Sequence, residues 1–119
     1  MQQNIDELFD SALQSLNLGN PKEALKKFSK VLELEPNHQK ALVKIGNVLG
    51  KLGKYQQAIP YYDKALQNDA GDLLALINKG LALHYLEKYS QAIEQYDKAL
   101  LQRPDSTTIL YNKASSLIR

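Results

Sequence analysis

The residue pattern of this chain returns to itself every 34 positions, without insertion, from near its start to its end. Leu8, Leu42, Leu76 and Leu110 share that offset, as do Ala24, Ala58 and Ala92, and Phe28, Tyr62 and Tyr96. Lys30, Lys64 and Lys98 follow the same register, then Leu32, Leu66 and Leu100, with the pairs Gly46 and Gly80, Ala65 and Ala99, and Pro36 and Pro104. A fixed period of this length is the mark of a stacked repeat architecture, in which one unit cannot hide its apolar face and its neighbours cover it. The frame gives units at 5–38, 39–72 and 73–106, with 107–119 opening a fourth, so the whole of 1–119 reads as one domain.

Each unit reads as two helices. From Gln39 to Gly50 the apolar residues Leu42, Val43, Ile45, Val48 and Leu49 follow helical spacing, and from Tyr55 to Leu66 a second stripe carries Ala58, Ile59, Tyr62, Ala65 and Leu66. Gly53-Lys54 marks the turn between them. In the first unit Pro21 suits the opening of a helix, with Asn20 as its expected N-cap. Pro36 and Pro104 close theirs. Pro60 falls well inside a helix and costs one backbone hydrogen bond, to Gln56; a local bend with Pro60 on the outer face is expected. Short turns force neighbouring helices to run antiparallel. The expected fold is all-α, a solenoid of antiparallel helix pairs.

Composition narrows the function classes. A net charge of +2 is too small to favour nucleic acid by bulk electrostatics, and no base-reading side chains recur from unit to unit. Cysteine is absent, which removes thiolate metal sites and fits a reducing compartment. There is no long apolar run for a membrane span, and the polar, acidic Met1–Asp10 segment does not resemble a leader, so a cytoplasmic location is expected. His38 and His84 stand outside any metal-ligand spacing and are expected at the surface. The glycines and lysines of Gly50-Lys51-Leu52-Gly53-Lys54 imitate a phosphate loop, but no strand precedes them. No catalytic residues, cofactor or metal ligands are identified.

The helix–turn–helix period, with Leu76, Gly80, Leu83, Ala92, Tyr96, Ala99 and Pro104 in one unit and Leu42, Gly46, Leu49, Ala58, Tyr62 and Ala65 in another, resembles the tetratricopeptide repeat (TPR) family. The first unit is the most divergent, with Leu8, Ala12, Ser15, Ala24, Phe28, Val31 and Pro36. Lys79 and Lys113 depart from the family's leucine, and their aliphatic stems are expected to cover apolar surface. The resemblance implies a right-handed superhelix whose concave face is lined by the first helix of each unit. Carried onto this sequence, that face takes Lys40, Val43, Lys44, Asn47 and Lys51 from the second unit, and Ile77, Asn78, Leu81, His84 and Tyr85 from the third. Tyr111 and Asn112 come from the partial fourth, and Asp6, Phe9, Asp10 and Leu13 from the first.

Lys40, Lys44, Asn47 and Lys51 share one helical face and make a basic stripe. Asn47, Asn78 and Asn112 form a ladder of amides, each able to donate and accept, and in peptide-binding relatives such asparagines hold a ligand backbone. Val43, Ile77, Leu81 and Tyr111 add apolar contacts. The resemblance therefore implies a protein–protein interaction scaffold whose ligand is a peptide or protein segment with acidic and apolar side chains. The family's clamp for chaperone C-terminal tails is only partly present: Asn47 and Asn78 match, while Val43 and Thr108 stand in for lysines and Asn112 for an arginine. The alternative is a structural module that self-assembles into a homo-oligomer through its terminal helices, because Ile109, Leu110, Leu117 and Ile118 lie in a last helix without a partner.

Overall fold

A computed structural model describes residues 4–119, so Met1, Gln2 and Gln3 of the expected domain lie outside the described residues. Seven helices follow one another: α1 (Ile5–Asn17), α2 (Pro21–Leu34), α3 (Gln39–Lys51), α4 (Tyr55–Asn68), α5 (Leu73–Tyr85), α6 (Tyr89–Gln102) and α7 (Thr107–Ile118). Their first residues keep the sequence period: Ile5, Gln39, Leu73 and Thr107 open one set, and Pro21, Tyr55 and Tyr89 the other. Successive helices pack as antiparallel pairs, α1 on α2, α3 on α4 and α5 on α6, and α3 also touches α5. The stack is elongated, 52 × 25 × 22 Å. The fold is all-α and TPR-like.

The local chemistry of the helix starts explains why they recur. Asn4, His38, Asp72 and Ser106 hold the N-cap position of α1, α3, α5 and α7, and each side chain accepts a backbone N–H of the first turn. The second helix of each pair lacks such a bond. Asn20 does occupy the N-cap of α2, yet its side chain caps nothing, and Pro21 at the first helical position supplies the start instead. The loops between pairs are tied by a recurring amide: Asn68 Nδ2 donates to the Asn37 carbonyl at 3.4 Å, and Gln102 Nε2 to the Gly71 carbonyl at 2.8 Å.

Small residues and rings interlock inside each pair. Ala24, Ala58, Ala92, Phe28 and Tyr96 are fully buried and Tyr62 nearly so. The Tyr62 and Tyr96 rings lie on the glycine of the first helix of their own unit. A methyl group at Gly46 would stand 2.5 Å from the Tyr62 ring, and one at Gly80 would strike the Tyr96 ring. Lys79 and Lys113 make ion pairs: Lys79 Nζ pairs with Asp63 at 2.6 Å, and Lys113 Nζ with Asp97 at 2.7 Å, so each ties a unit's first helix to the preceding helix. Pro60 is exposed, and α4 passes through it unbroken from Tyr55 to Asn68.

Candidate functional site

The first helices of the units leave a cleft of about 400 Å³ between them, lined mainly by α3, α4 and α5 with Leu16 of α1 at one end. Its walls bring together Lys44, Asn47, Lys51, Asn78, Leu81 and Tyr85 of the expected groove. Val48, Ala82, Tyr55 and Tyr62 complete most of the lining, and no Asp or Glu belongs to it. Two cationic side chains therefore face an otherwise polar and apolar hollow, where an anionic group meets no repulsion.

The floor of the cleft is a short hydrogen-bond chain. The Tyr62 hydroxyl donates to Asn47 Oδ1 at 2.8 Å, and Asn78 Nδ2 donates to the same oxygen at 2.8 Å. Burial pushes the Tyr62 phenol well above its ordinary pKa, so it remains a donor. At one end Tyr55 and Tyr85 stack with centroids 5.0 Å apart and planes at 19°. The same positions one repeat later hold Tyr89 and Arg119, which make a cation–π contact at 5.3 Å.

Other expected groove residues lie elsewhere. Val43 is only 5% exposed and belongs to the core: α3 sits inside the stack, with α2, α4 and α5 against it, and little of its surface is free. Lys40 borders a separate concavity with Asp6, Phe9, Asp10 and His38. Ile77 packs on the core around Leu76 and Tyr96. His84 is drawn toward α7, its Nδ1 lying 2.9 Å from the buried Ser116 hydroxyl. His38 is likewise no free surface residue, since it caps α3 and stacks on Phe9 at 5.2 Å. Tyr111 is 73% exposed and Asn112 half-buried, and neither lines the cleft, so the amide ladder is a pair rather than a row of three. Leu16, Val48, Gly50, Tyr55, Ala82 and the Tyr62 hydroxyl are lining that sequence reading missed. For Tyr62 the signal was the hydroxyl that Phe28 lacks at the same repeat position.

That position yields a contrast. Tyr96 is fully buried, and its hydroxyl has no hydrogen-bond partner, because Leu81 stands where the second unit has Asn47. Its phenol pKa is pushed up by burial and, secondarily, by Tyr85. Tyr96→Phe is accordingly expected to leave stability unchanged or raise it by about 1 kcal/mol, whereas Tyr62→Phe removes a made bond and costs about 1–2 kcal/mol. Urea unfolding of the two variants side by side checks the difference in sign.

Among the described residues no cluster of His, Asp or Glu could hold a metal, and no helix is long and apolar enough to cross a membrane. Comparison with curated protein sequences finds no match. Solved structures do match. MamA 41-end from Desulfovibrio magneticus RS-1 superposes with a TM-score of 0.91 at 24% identity, over 98% of this chain and 66% of that one. YrrB, described as a TPR protein with an unusual peptide-binding site, gives 0.86 at 27% identity over 95% of this chain and 58% of its own. The first TPR of Spaghetti (RPAP3), bound to the HSP90 peptide SRMEEVD, gives 0.88 at 17% identity over 94% and 91%. The chain thus spans about two thirds of the MamA chain and less of YrrB. A sequence profile described as tetratricopeptide repeat matches residues 37–105, more than half of the molecule. Profile, helix pairing and repeat register agree: the chain belongs to the tetratricopeptide repeat family.

Proposed function

We propose that this chain is an interaction scaffold that holds an extended segment of another protein in the cleft between α3 and α5, and that the segment carries acidic and apolar side chains. The observation that carries this reading is the Tyr62–Asn47–Asn78 chain on the floor of a hollow flanked by Lys44 and Lys51 with no acid in its lining. Amides at the floor suit a ligand backbone, lysines suit its carboxylates, and Val48, Leu81 and the stacked tyrosines suit its apolar groups. The peptide-binding site described for YrrB and the HSP90-peptide complex described for RPAP3 support a groove of this kind in the family.

The test is affinity for peptides selected by display on the 119-residue chain. Lys44→Glu/Lys51→Glu is expected to weaken binding at least about 30-fold, roughly 2 kcal/mol, and the wild-type affinity is expected to fall as salt rises. Equal binding by both proteins overturns the proposal.

A second reading has its own observation. Leu110 is 46% exposed, although its repeat equivalents Leu8, Leu42 and Leu76 are buried, and Leu117 and Ile118 are exposed beside it on α7. Self-assembly through α7 predicts a molecular mass that rises with concentration in light scattering and falls for Leu110→Lys/Leu117→Lys.

A further inference from the structure

We infer that α7 is a two-fold interface: two copies of this chain pair antiparallel through it, with Ala114 of each copy at the symmetry axis. The inference rests on the self-assembly reading and adds the symmetry, the stoichiometry and the contacts.

One side of α7 packs on α5 and α6, with Ile109 and Ser116 buried. The other side carries Leu110, Tyr111, Ala114, Leu117 and Ile118, all exposed. Each residue turns the helix by about 100°, so Leu110 and Leu117 lie about 40° and 60° to one side of Ala114, and Tyr111 and Ile118 about 60° and 40° to the other. Along the axis, Leu110 and Tyr111 precede Ala114 by about 6 Å and 4.5 Å, and Leu117 and Ile118 follow it by about 4.5 Å and 6 Å. A two-fold axis at Ala114 keeps the side and reverses the position along the helix. Leu110 therefore faces the partner's Leu117, and Tyr111 faces the partner's Ile118. Each contact is made twice, which is the self-complementarity an isologous interface requires. The small side chain at the crossing lets the two helix axes approach to about 8 Å.

Charge favours a second copy of the same helix over the far end of the stack. No Asp or Glu lies in α7, Lys113 is paired with Asp97 of its own chain, and Arg119 lies over the Tyr89 ring. The apolar stripe thus meets its own copy without like-charge repulsion. The hollow between α1 and α2, by contrast, is lined by Glu7, Glu23, Lys26, Lys27 and Lys30. Head-to-tail stacking would press the leucines of α7 onto those charges and strip them of water. Pairing therefore closes at two copies and does not run on into a filament. A helix of 12 residues is only about 18 Å long, so the contact falls short of the roughly 800 Å² per partner of a standard interface. The pair is accordingly weak, with a dissociation constant on the order of 0.1 mM.

The experiment uses the whole chain, whose lack of cysteine lets single-cysteine variants report one contact each. In sedimentation equilibrium from about 10 μM to about 1 mM, the mass is expected to rise from one chain to two and stop there. A mass that stays at one chain overturns both the self-assembly reading and this inference. A mass that climbs past two leaves self-assembly standing and overturns the closed pair. Under mild oxidation at the upper concentration, Ala114→Cys is expected to form a disulfide dimer, because the axis brings its two copies within bonding distance. Leu110→Cys and Leu117→Cys are expected to cross-link when mixed and not alone, since each lies about 9–12 Å along the axis from its own copy. A two-chain mass without the Ala114→Cys dimer overturns the axis and leaves self-assembly intact. So does Ala114→Cys joining Glu23→Cys at the far end, or Leu110→Cys joining itself as readily as it joins Leu117→Cys.

Discussion

Tyr62→Ala is expected to lower the unfolding free energy by about 3–5 kcal/mol, the usual cost of emptying a buried aromatic site. Tyr62 is only 2% exposed, its ring lies on Gly46, and its hydroxyl is tied to Asn47. The sharper result concerns Gly46. In the wild type a methyl group there stands 2.5 Å from the ring, and overpacking of this kind costs about 1–3 kcal/mol. Helix propensity works the other way, since alanine is about 1 kcal/mol better than glycine inside a helix. Gly46→Ala is therefore expected to destabilise the wild type. In the Tyr62→Ala background the methyl enters empty space, and the same change is expected to stabilise by about 1 kcal/mol. The first unit carries Ala12 and Phe28 at these two positions, a pair without the hydroxyl tether, so its ring is free to settle around a methyl group. Urea unfolding of the four proteins closes the cycle. An equal penalty for Gly46→Ala in both backgrounds means that the ring is not what excludes the side chain.

The fold was legible because repetition checks itself. A misread Leu42 would have been corrected by Leu8 and Leu76, and the helix starts fall on the 34-residue period through all seven elements. Lys79 and Lys113 were readable in the same way, though only with their partners: Asp63 and Asp97 recur at the same offset as the lysines they bind. What repetition cannot give is how far each helix face is covered, because that depends on neighbours in the stack. Val43 and Lys44 are adjacent in sequence, and the resemblance places both on the groove. In the structure Val43 is buried and Lys44 lines the cleft.

The site was less legible because it is built from departures from the period. Asn47 has Leu13 and Leu81 as its equivalents, and Asn78 has Lys44 and Asn112. The hydrogen-bond chain needs Tyr62, Asn47 and Asn78 together, and only one junction between units holds all three. The next junction keeps the tyrosine and loses its acceptor, which leaves the Tyr96 hydroxyl stranded. Reading such a site requires comparing the units for what differs after aligning them for what agrees.

Pro60→Ala is the second large effect, and its sign is opposite to that of most substitutions. Pro60 is the sixth residue of α4, past the first turn where proline is harmless. It has no N–H for the Gln56 carbonyl, and its ring crowds that same oxygen, which costs about 3 kcal/mol relative to alanine in a helix interior. The sequence suggested a bend. Whatever its local curvature, the helix does not end there but continues to Asn68, with Ala58, Tyr62 and Ala65 of its inner face buried on both sides of the proline. Packing thus carries the local cost. Alanine recovers the hydrogen bond and relieves the crowding, less about 0.4–1 kcal/mol for the freer unfolded chain. The expected gain is about 2 kcal/mol, a rise in melting temperature of roughly 6–10 °C for a domain of this size. Pro60 is exposed and does not line the cleft, so peptide affinity is expected to stay unchanged. A melting temperature that does not rise means that water already satisfies the Gln56 carbonyl, and that α4 bears no strain at the proline.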